Sequence, residues 1–534
     1  MNITNRKNIL RAVILLTALS AIVIAAAAQS PPTAHLTPQE KRGKQIYIRG
    51  VSQSGKEITA FLGDAAVEVP ATTMPCAGCH GLDGQGKPEG GVVPSNITWE
   101  ALTKPYGVTH QTGRKHPPYT EKAFEFAITK GLDSGGNRLA IAMPRYEMSG
   151  EDLNDLIAYL KKVGKDTDPG LDHTTVRIGT VIPADGPLVE AGQAAKSALA
   201  AYFEEANSQG GLFNRKLELK VIETPSDATG RKAATERFIR DQHIFAMAGA
   251  FIAGADKEMT ALVASEEVPL VGPFSLTPRV GFPVNRQVFY IFSGLAEQSR
   301  AMVVAAAQRP TANRNVALVY TESESNTEAA EALSDECSKS NLNAVVKSSF
   351  TRGRFDASKI VFETSKSEAG AIFFLGTGTE AVGFMKEAER LSWLPDIFMP
   401  GSLAGREILD APATFKGKLF LSFPTLPGDH TEAGIAEYRA LAEKYKLSQK
   451  HLAAQFTALC AARILVEGLK LAGRDLSREK LISALEGLYE LETGLTPRIT
   501  FGANRRVGAM GAYLVAVDPE KKEFIPASGW ITPK

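Results

Sequence analysis

The sequence has few cysteines and almost no net charge, and each scarcity excludes a class of protein. Four cysteines in 534 residues are too few for a disulfide scaffold. The 60 Lys and Arg residues balance 59 Asp and Glu residues, which leaves a formal charge of +1. The chain therefore has no bulk electrostatic attraction for nucleic acid or for an anionic membrane, and no nucleic acid is predicted as a partner.

Long apolar runs are equally scarce, and we find one, near the N-terminus. Residues 12–28 are largely apolar and uncharged, and they follow Arg6, Lys7 and Arg11. This pattern predicts a secretory signal peptide over residues 1–28, which is removed from a protein exported to the periplasm. The alternative is an uncleaved anchor, because the run lies at the lower edge of a membrane span. The membrane is a partner only in that case. No second apolar run of membrane length is expected.

The length and composition favour several ordinary globular domains. A chain of 534 residues is too long for one hydrophobic core, and usual domain sizes give about two to four domains. Hydrophobic residues make up 44% of the sequence and charged residues 22%, as in soluble proteins.

The motif with the most specific chemistry is CAGCH at residues 76–80. Two cysteines three apart with a histidine after the second form the attachment signature of a c-type haem. Cys76 and Cys79 would form thioethers to the porphyrin, and His80 would bind the iron. A zinc site needs a second pair of ligands and a redox dithiol needs a thioredoxin-like context, and neither is visible. The sequence therefore predicts one covalent haem c.

Two helical patterns flank this motif. The first starts at Thr37, and it places Gly43 and Tyr47 four apart on one face. The second covers residues 151–163, with Ser149 as its N-cap and an apolar stripe at helical spacing. Both patterns predict amphipathic helices.

The second axial ligand of the iron must be a methionine or a histidine. The candidates are Met143, Met148, His110 and His116. Met143 lies just before the second helix, and Pro144 favours extended backbone at Met143, so that its side chain can point inward. Met148 directly precedes the N-cap, where packing as a hydrophobic staple is expected. Both histidines lie in the loop 106–118, where a solvated histidine is the default. We therefore expect His80 and Met143 to be the axial pair.

Several of these features together resemble the class I cytochromes c over residues 36–164. They are Gly43, Tyr47, the motif at 76–80, Pro94 and MPRY-x-MSGEDLNDLIAYL at 143–160. The resemblance implies an all-α domain whose first and last helices cross at Gly43 and Tyr47. It also implies that the Pro94 carbonyl accepts a hydrogen bond from His80. Residues 51–73 form an insertion with no assignment.

After a polar linker at residues 165–175, short β-rich runs alternate with helical runs. This alternation indicates parallel sheets with right-handed crossovers, and the length fits two lobes. The predicted strands cover residues 176–182, 217–223, 244–249, 268–271, 288–292, 316–320, 344–350, 371–375, 397–400 and 419–423. The predicted helices include residues 191–207, 231–242, 296–308, 357–364 and 432–445.

The segments VRIGTVIPADGP at 176–187, AYFEEAN at 201–207 and VPLVGPFSLTP at 268–278 carry a second resemblance. They are similar to the type I periplasmic solute-binding proteins of the branched-chain amino acid group. The resemblance covers essentially residues 173–534, and it predicts a solute-binding domain at 176–534. It implies an α/β fold of two doubly wound lobes joined by three crossovers, with the ligand at the carboxyl ends of the strands.

Carried onto this chain, the resemblance predicts the residues that line the cleft on the first lobe. They are Gly186, Ala253, Ser275 and Thr277. The two hydroxyls and neighbouring amides suit a carboxylate. On the second lobe, residues 401–404 hold no carboxylate for an ammonium group, and residues 320–327 lack the aromatic that covers the ligand in such binders. The expected ligand is a small polar or anionic solute without an essential ammonium group. The acidic residues near the second-lobe loops are Glu322, Glu324 and Glu380, for which exposed charges are the default.

The two cysteines outside the haem motif are expected to be free. Cys337 falls in a polar helical run and is predicted to be a solvent-side thiol, whereas Cys460 falls in an apolar run and is predicted to be a core thiol.

Together these observations predict an all-α cytochrome c domain followed by a two-lobed α/β solute-binding domain. The preferred function is one-electron transfer to a redox partner protein, because histidine and methionine fill both axial positions. One alternative is a solute capture or sensing protein, for a transporter or receptor, with an accessory haem. A second is a haem oxidoreductase that acts on the cleft ligand. No Ser/His/Asp or paired-carboxylate pattern supports an enzyme.

Overall fold

The computed structural model describes residues 36–88, 90–110, 112–309 and 314–533. The predicted signal peptide at residues 1–28 lies outside the described residues. The chain divides into two compact units, Met1–Pro169 and Gly170–Lys534.

The first unit holds five helices among its described residues, together with short strands. The helices are α1 Pro38–Arg49, α2 Cys76–His80, α3 Trp99–Leu102, α4 Glu121–Lys130 and α5 Gly150–Leu160. The strands are β1 Thr59–Leu62, β2 Val67–Pro70, β3 Val108–Thr109, β4 Lys115–His116 and β5 Arg145–Glu147. The strands β1 and β2 form an antiparallel hairpin, and β5 joins β1. The insertion at residues 51–73 therefore extends the helical domain with a small sheet.

The crossing of α1 and α5 is as close as the sequence predicts. A Cβ atom added to Gly43 would lie 1.9 Å from the backbone oxygen of Asp155, so only glycine allows this approach. Tyr47 is fully buried against Tyr159, with the ring centroids 5.5 Å apart. The Tyr47 hydroxyl donates a hydrogen bond to the Gly81 carbonyl at 2.7 Å. The crossing therefore also ties α1 to the segment that follows CAGCH.

The second unit is built from two sheets flanked by helices. Its helices are α6 Val189–Ser208, α7 Ala228–Asp241, α8 Asp256–Ser265, α9 Leu295–Gln308, α10 Glu324–Lys339, α11 Ala357–Ser365, α12 Gly378–Arg390, α13 Gly401–Ala404, α14 Glu432–Lys444, α15 Leu452–Ala472 and α16 Arg478–Glu486. Its strands are β6 Thr175–Pro183, β7 Lys216–Thr224, β8 Ala246–Ala248, β9 Leu270–Val271, β10 Val288–Phe292, β11 Asn315–Thr321, β12 Asn343–Phe350, β13 Ala371–Leu375, β14 Asp396–Pro400, β15 Leu419–Phe423, β16 Val507–Ala509, β17 Tyr513–Asp518 and β18 Glu523–Pro526.

The sheet orders show two doubly wound lobes. The first lobe has the order β16-β10-β9-β8-β6-β7 and the second has β12-β11-β13-β14-β15-β17-β18. All pairings are parallel except those of β17 with β15 and β18. The chain passes between the lobes after β10, after β15 and after β16, which are the three expected crossovers. The predicted strands from 176–182 to 419–423 are all present, with ends that agree within two residues.

Helix α15 contradicts the expectation that no second apolar run of membrane length exists. By length and composition it could cross a membrane, with a mean hydropathy of 1.4 over its most apolar window. However, 61% of that window is buried inside the protein. Its side chains Leu459, Ile464 and Leu465 belong to the hydrophobic core of the first lobe. A helix that is apolar on most of its surface is expected at such a buried position.

The two remaining cysteines are both buried and free. Cys460 lies on α15 in the core of the first lobe, which confirms the prediction. The prediction that Cys337 faces solvent is wrong, because its exposure is only 1%. Cys337 follows Leu333 by one helical turn, and both pack on the inner face of α10. The polar composition of this helix comes from its other faces.

Candidate haem site and solute-binding cleft

His80, the last residue of α2, is held in the orientation that a haem ligand needs. Its side chain is buried, and Nδ1 lies 2.9 Å from the carbonyl oxygen of Ser95. A carbonyl can only accept, so Nδ1 carries the proton and Nε2 is left as the metal-binding atom. Burial lowers the pKa of His80, which favours the neutral imidazole that binds metals.

The carbonyl that accepts from His80 belongs to Ser95, whereas the sequence predicted Pro94. The Pro94 carbonyl lies against Gly86 instead, where an added Cβ would come within 2.2 Å of its oxygen. The turn that Gly86 closes, with a φ of +90°, therefore shifts the acceptor by one residue.

Cys76 and Cys79 lie on the same helical turn as His80, and both thiols are free. Desolvation raises the pKa of the Cys76 thiol to about 12. Among the described residues, no group of three or more His, Cys, Asp or Glu side chains comes together as a metal site. Two thiols and one neutral, oriented imidazole on a single turn fit the attachment of a c-type haem.

A hydrogen bond holds the segment that carries Met143 close to the attachment motif. Tyr146 is buried on β5, and its hydroxyl donates to the carbonyl of Met74 at 2.7 Å, two residues before Cys76. Burial, followed by the charges of Cys76 and Cys79, raises the pKa of Tyr146. The phenol therefore lies near both thiols. Met143 is half-buried on a turn three residues before Tyr146. Three residues of extended chain span at most about 11 Å, so Met143 lies within that distance of Tyr146.

The other candidate ligands have other contacts. Met148 packs against the hydrophobic core of the first unit, as expected for a staple. His110 Nδ1 lies 3.3 Å from the Ser95 hydroxyl, on the Nδ1 side of His80 and away from its metal-binding Nε2. The His116 ring packs against the His110 ring at a tilt of 37°, with the ring centroids 5.1 Å apart. His116 is also buried, so the expectation of a solvated side chain is wrong for it.

In the second unit, the predicted cleft residues meet at one edge of the first-lobe sheet. Gly186 lies on the exposed loop after β6, Ala253 follows β8, and Ser275 and Thr277 follow β9. These strands are neighbours in the sheet, so their carboxyl ends lie side by side. The Ala253 amide donates to the Phe274 carbonyl at 3.0 Å, which joins two of the loops.

Asp256 is a cleft residue that the sequence interpretation missed. Its exposure is 8%, and it accepts a hydrogen bond from the Ser275 hydroxyl at 2.5 Å and from the Gly254 amide at 3.0 Å. The Thr277 amide in turn donates to the Ser275 oxygen at 3.1 Å. Burial raises the pKa of Asp256. The Ser275 hydroxyl, predicted as a donor to the ligand, is therefore already engaged. The sequence signal that could have identified Asp256 is an acidic residue at the start of helix α8.

The acidic residues of the second-lobe loops have structural partners. Glu322 accepts hydrogen bonds from Ser349 and Thr351. Glu380 closes a capping box with Thr377 at the start of α12. Glu324 forms an ion pair across the cleft with Arg279 of the first lobe, at 2.8 Å. Residues 401–404 form the short helix α13, and they place no carboxylate in the cleft.

Family models match both units. A cytochrome c model matches residues 70–164, and a periplasmic binding protein model matches residues 175–523. A curated relative, the Leu/Ile/Val-binding protein BraC3 of Rhizobium johnstonii, is 21% identical over 337 residues. That match covers 62% of this chain and 89% of the relative.

Solved structures share the fold of the second unit. One is a fatty acid ABC transporter substrate-binding protein from Thermomonospora curvata, with a TM-score of 0.56 and 17% identity over 69% of this chain and 95% of that chain. Another is a branched chain amino acid ABC transporter from Thermus thermophilus with bound valine, with a TM-score of 0.56 and 17% identity over 68% of this chain and 97% of that chain. Their different names at equal similarity show that the fold does not select the ligand.

Proposed function

Because the chain belongs to the periplasmic binding protein family and also carries a cytochrome c domain, we propose that it is a periplasmic one-electron carrier with a fused solute-binding domain. In this proposal the haem domain covers residues 36–164 and the solute-binding domain covers residues 176–534. Ligand binding either modulates electron transfer or docks the carrier to its redox partner protein.

The observation that carries the electron-transfer proposal is the hydrogen bond from His80 to Ser95. It orients the imidazole and leaves Nε2 for iron, beside two thiols on the same turn. The haem c, when bound, supplies the one-electron chemistry. Cys76 and Cys79 would hold it covalently, and His80 and Met143 would fill both axial positions. With both positions filled, a substrate has no vacancy on the iron, which suits an electron carrier.

The oxidised full-length protein tests the axial pair. Methionine ligation should give the weak far-red charge-transfer band of ferric haem c, and Met143→Ala should abolish it. Met148→Ala is the matched control and should keep the band, because Met148 packs in the core. A band that survives in Met143→Ala, or bis-histidine features in the wild-type protein, would overturn the assignment.

For the cleft, we propose a small polar or anionic solute without an essential ammonium group. Residues 401–404 provide no carboxylate to pair with an ammonium, and the buried Asp256 carboxylate on the first lobe already accepts hydrogen bonds from Ser275 and Gly254. The Thr277 hydroxyl is the donor offered to the ligand. A charge-assisted hydrogen bond would contribute about 1.5–3 kcal/mol.

Calorimetric titration separates the solute classes. Amino acids and their deaminated analogues should be titrated into the oxidised and the reduced protein. The deaminated acids should bind. If solute binding is coupled to the haem, the redox state changes the solute affinity by the same factor by which the solute changes the redox equilibrium, because linkage is reciprocal. Binding of leucine or valine alone would defeat the ligand proposal. Equal affinities in the two redox states would defeat the coupling.

The second candidate function is solute capture or sensing with an accessory haem. It is favoured by the extent of the periplasmic binding protein match, which spans residues 175–523. Under this alternative, substituting Cys76 and Cys79 to remove the haem would leave the solute affinity unchanged. Electron flow in the cell would also continue as before. Turnover of the bound solute would instead support a haem oxidoreductase.

Export is tested by finding the mature protein in the periplasmic fraction without residues 1–28.

A further inference from the structure

A chain of polar contacts continues behind His80, on the side away from its metal-binding atom. The Ser95 carbonyl accepts from His80 Nδ1 at 2.9 Å. The hydroxyl of the same Ser95 lies 3.3 Å from His110 Nδ1. The His110 ring packs at a tilt against the ring of His116, whose own Nδ1 donates to the Pro117 carbonyl at 2.8 Å. One serine therefore contacts the proposed iron ligand through its backbone and a second histidine through its side chain.

The position of His110 is fixed by the fold. It follows β3, which pairs with β4 in an antiparallel hairpin, and its amide donates to the Arg114 carbonyl at 2.9 Å. Arg114 forms an ion pair with Asp133 at 2.5 Å, and the Asp133 side chain is fully buried. Such a buried, hydrogen-bonded carboxylate holds its partner firmly, because an unpaired charge there would be costly. The hairpin is thereby anchored to the loop at Asp133.

The surroundings of His110 restrict its contacts further. Its Nε2 atom is buried and has no hydrogen-bond partner within the described part of the chain. Within the described part of the chain, the contact with Ser95 is therefore the polar side-chain contact that holds the His110 ring in place. Tyr119 packs edge-on against His116, with ring centroids 4.9 Å apart, and completes the support.

We propose that Ser95 and His110 are positioning residues for the haem ligand His80. The side-chain contact keeps Ser95 in the place where its carbonyl meets Nδ1 of His80. A well-placed acceptor on Nδ1–H makes the imidazole a better electron donor to the metal, which stabilises the oxidised iron. The contact therefore lowers the midpoint potential of the haem. This inference depends on the haem function proposed above.

The test uses the full-length haem-bearing protein and four variants. They are Ser95→Ala, His110→Phe, the double variant and the control Ser134→Ala. Ser134 is a matched control because its hydroxyl belongs to the same cluster, where it donates to Pro117 and lies 3.3 Å from His116 Nδ1 without contacting Ser95. Spectroelectrochemical titration gives the midpoint potential, and the denatured haem spectrum confirms equal haem content.

The two single variants should shift the potential to more positive values, whereas Ser134→Ala should match the wild-type protein. Because His110 acts through Ser95, the double variant should shift no further than the larger single shift. Unchanged potentials in both single variants would overturn the proposal, and so would shifts that add in the double variant. If His110→Phe does not fold, His110→Leu, which also removes the polar contact with Ser95, takes its place beside Ser95→Ala. Failure of the wild-type protein to incorporate haem would instead refute the proposed function.

Discussion

Arg279 on the first lobe and Glu324 on the second lobe form an ion pair across the cleft, with 2.8 Å between Nη2 and a carboxylate oxygen. Arg279 follows the loop of Ser275 and Thr277, and Glu324 is the first residue of α10. The pair joins the predicted ligand-contacting loop of one lobe to the other lobe. Its side chains are 38% and 74% exposed, so its contribution to stability is about 0.2–1 kcal/mol.

We expect Arg279→Gln to weaken the contact between the lobes and to reduce apparent solute affinity by at most about fivefold, since 1 kcal/mol corresponds to about that factor. The effect should shrink at high salt, because exposed ion pairs are screened. Affinity measured against ionic strength checks this. Arg390→Gln is the control, because Arg390 pairs with Glu387 within α12 alone. An equal loss of affinity in that control would refute a role for the interlobe pair.

Gly43→Ala should destabilise the haem domain by about 1–3 kcal/mol or more, because the new methyl group meets the backbone of Asp155 at 1.9 Å. Backbone cannot rotate away as a side chain can, so α1 and α5 must separate. Denaturant unfolding followed by haem absorbance gives the change. Gly150→Ala on α5 is the matched control, because an added Cβ there has nothing within 4 Å. It should be neutral or stabilising by up to about 1 kcal/mol.

Asp133 should make the haem domain sensitive to acid. Burial raises the pKa of this carboxyl, but hydrogen bonds from Asn137 and Arg114 outweigh burial and leave the pKa below its ordinary value of 3.8. The unfolded chain then binds the proton more tightly than the folded one. The unfolding free energy contributed by Asp133 is therefore fully present above pH 3.8 and is lost as the pH falls through the lowered pKa.

Asp133→Asn should cost about 1–3 kcal/mol at neutral pH, and the difference from the wild-type protein should narrow in acid. Unfolding free energies at several pH values check this, with the exposed Asp64→Asn as control. A difference that stays constant down to the acid limit would show that the lost stability does not come from the ionised carboxylate.

Limited trypsin digestion should cut near Lys165 and release a haem-bearing fragment and a larger colourless one. Lys165 is exposed at the start of the predicted linker, where nicking is favoured. Farther along the linker, Asp168 forms an ion pair with Lys44, and Leu171 is buried in the core of the second unit. Few other peptide bonds of the linker are therefore accessible to a protease. Mass spectrometry identifies the cut. Resistance at Lys165, with cleavage elsewhere, would contradict the proposed linker.

Local patterns in the sequence account for the elements and for the haem motif. The first-lobe strand at 176–182 and the second-lobe strand at 371–375 were predictable because apolar runs of this length, bounded by turn residues, form buried strands. The CAGCH motif is contiguous, so its chemistry needs no knowledge of the fold. Gly43 and Tyr47 lie four apart and so share a helix face, and the family resemblance implied that this face meets the last helix of the domain. The three-residue strand β16 carries too little pattern to be found this way.

The contacts that orient the site were decided by tertiary structure. His80 donates to Ser95 and not to Pro94 because the turn at Gly86 directs the Pro94 carbonyl elsewhere. Ser275 donates a hydrogen bond to Asp256, which is 19 residues away in the chain and begins helix α8. No sequence period connects such residues, because they meet only when neighbouring strands bring their loops to one edge. The sequence by itself determined which residues could do the chemistry, and the packed fold decided which partners each of them has.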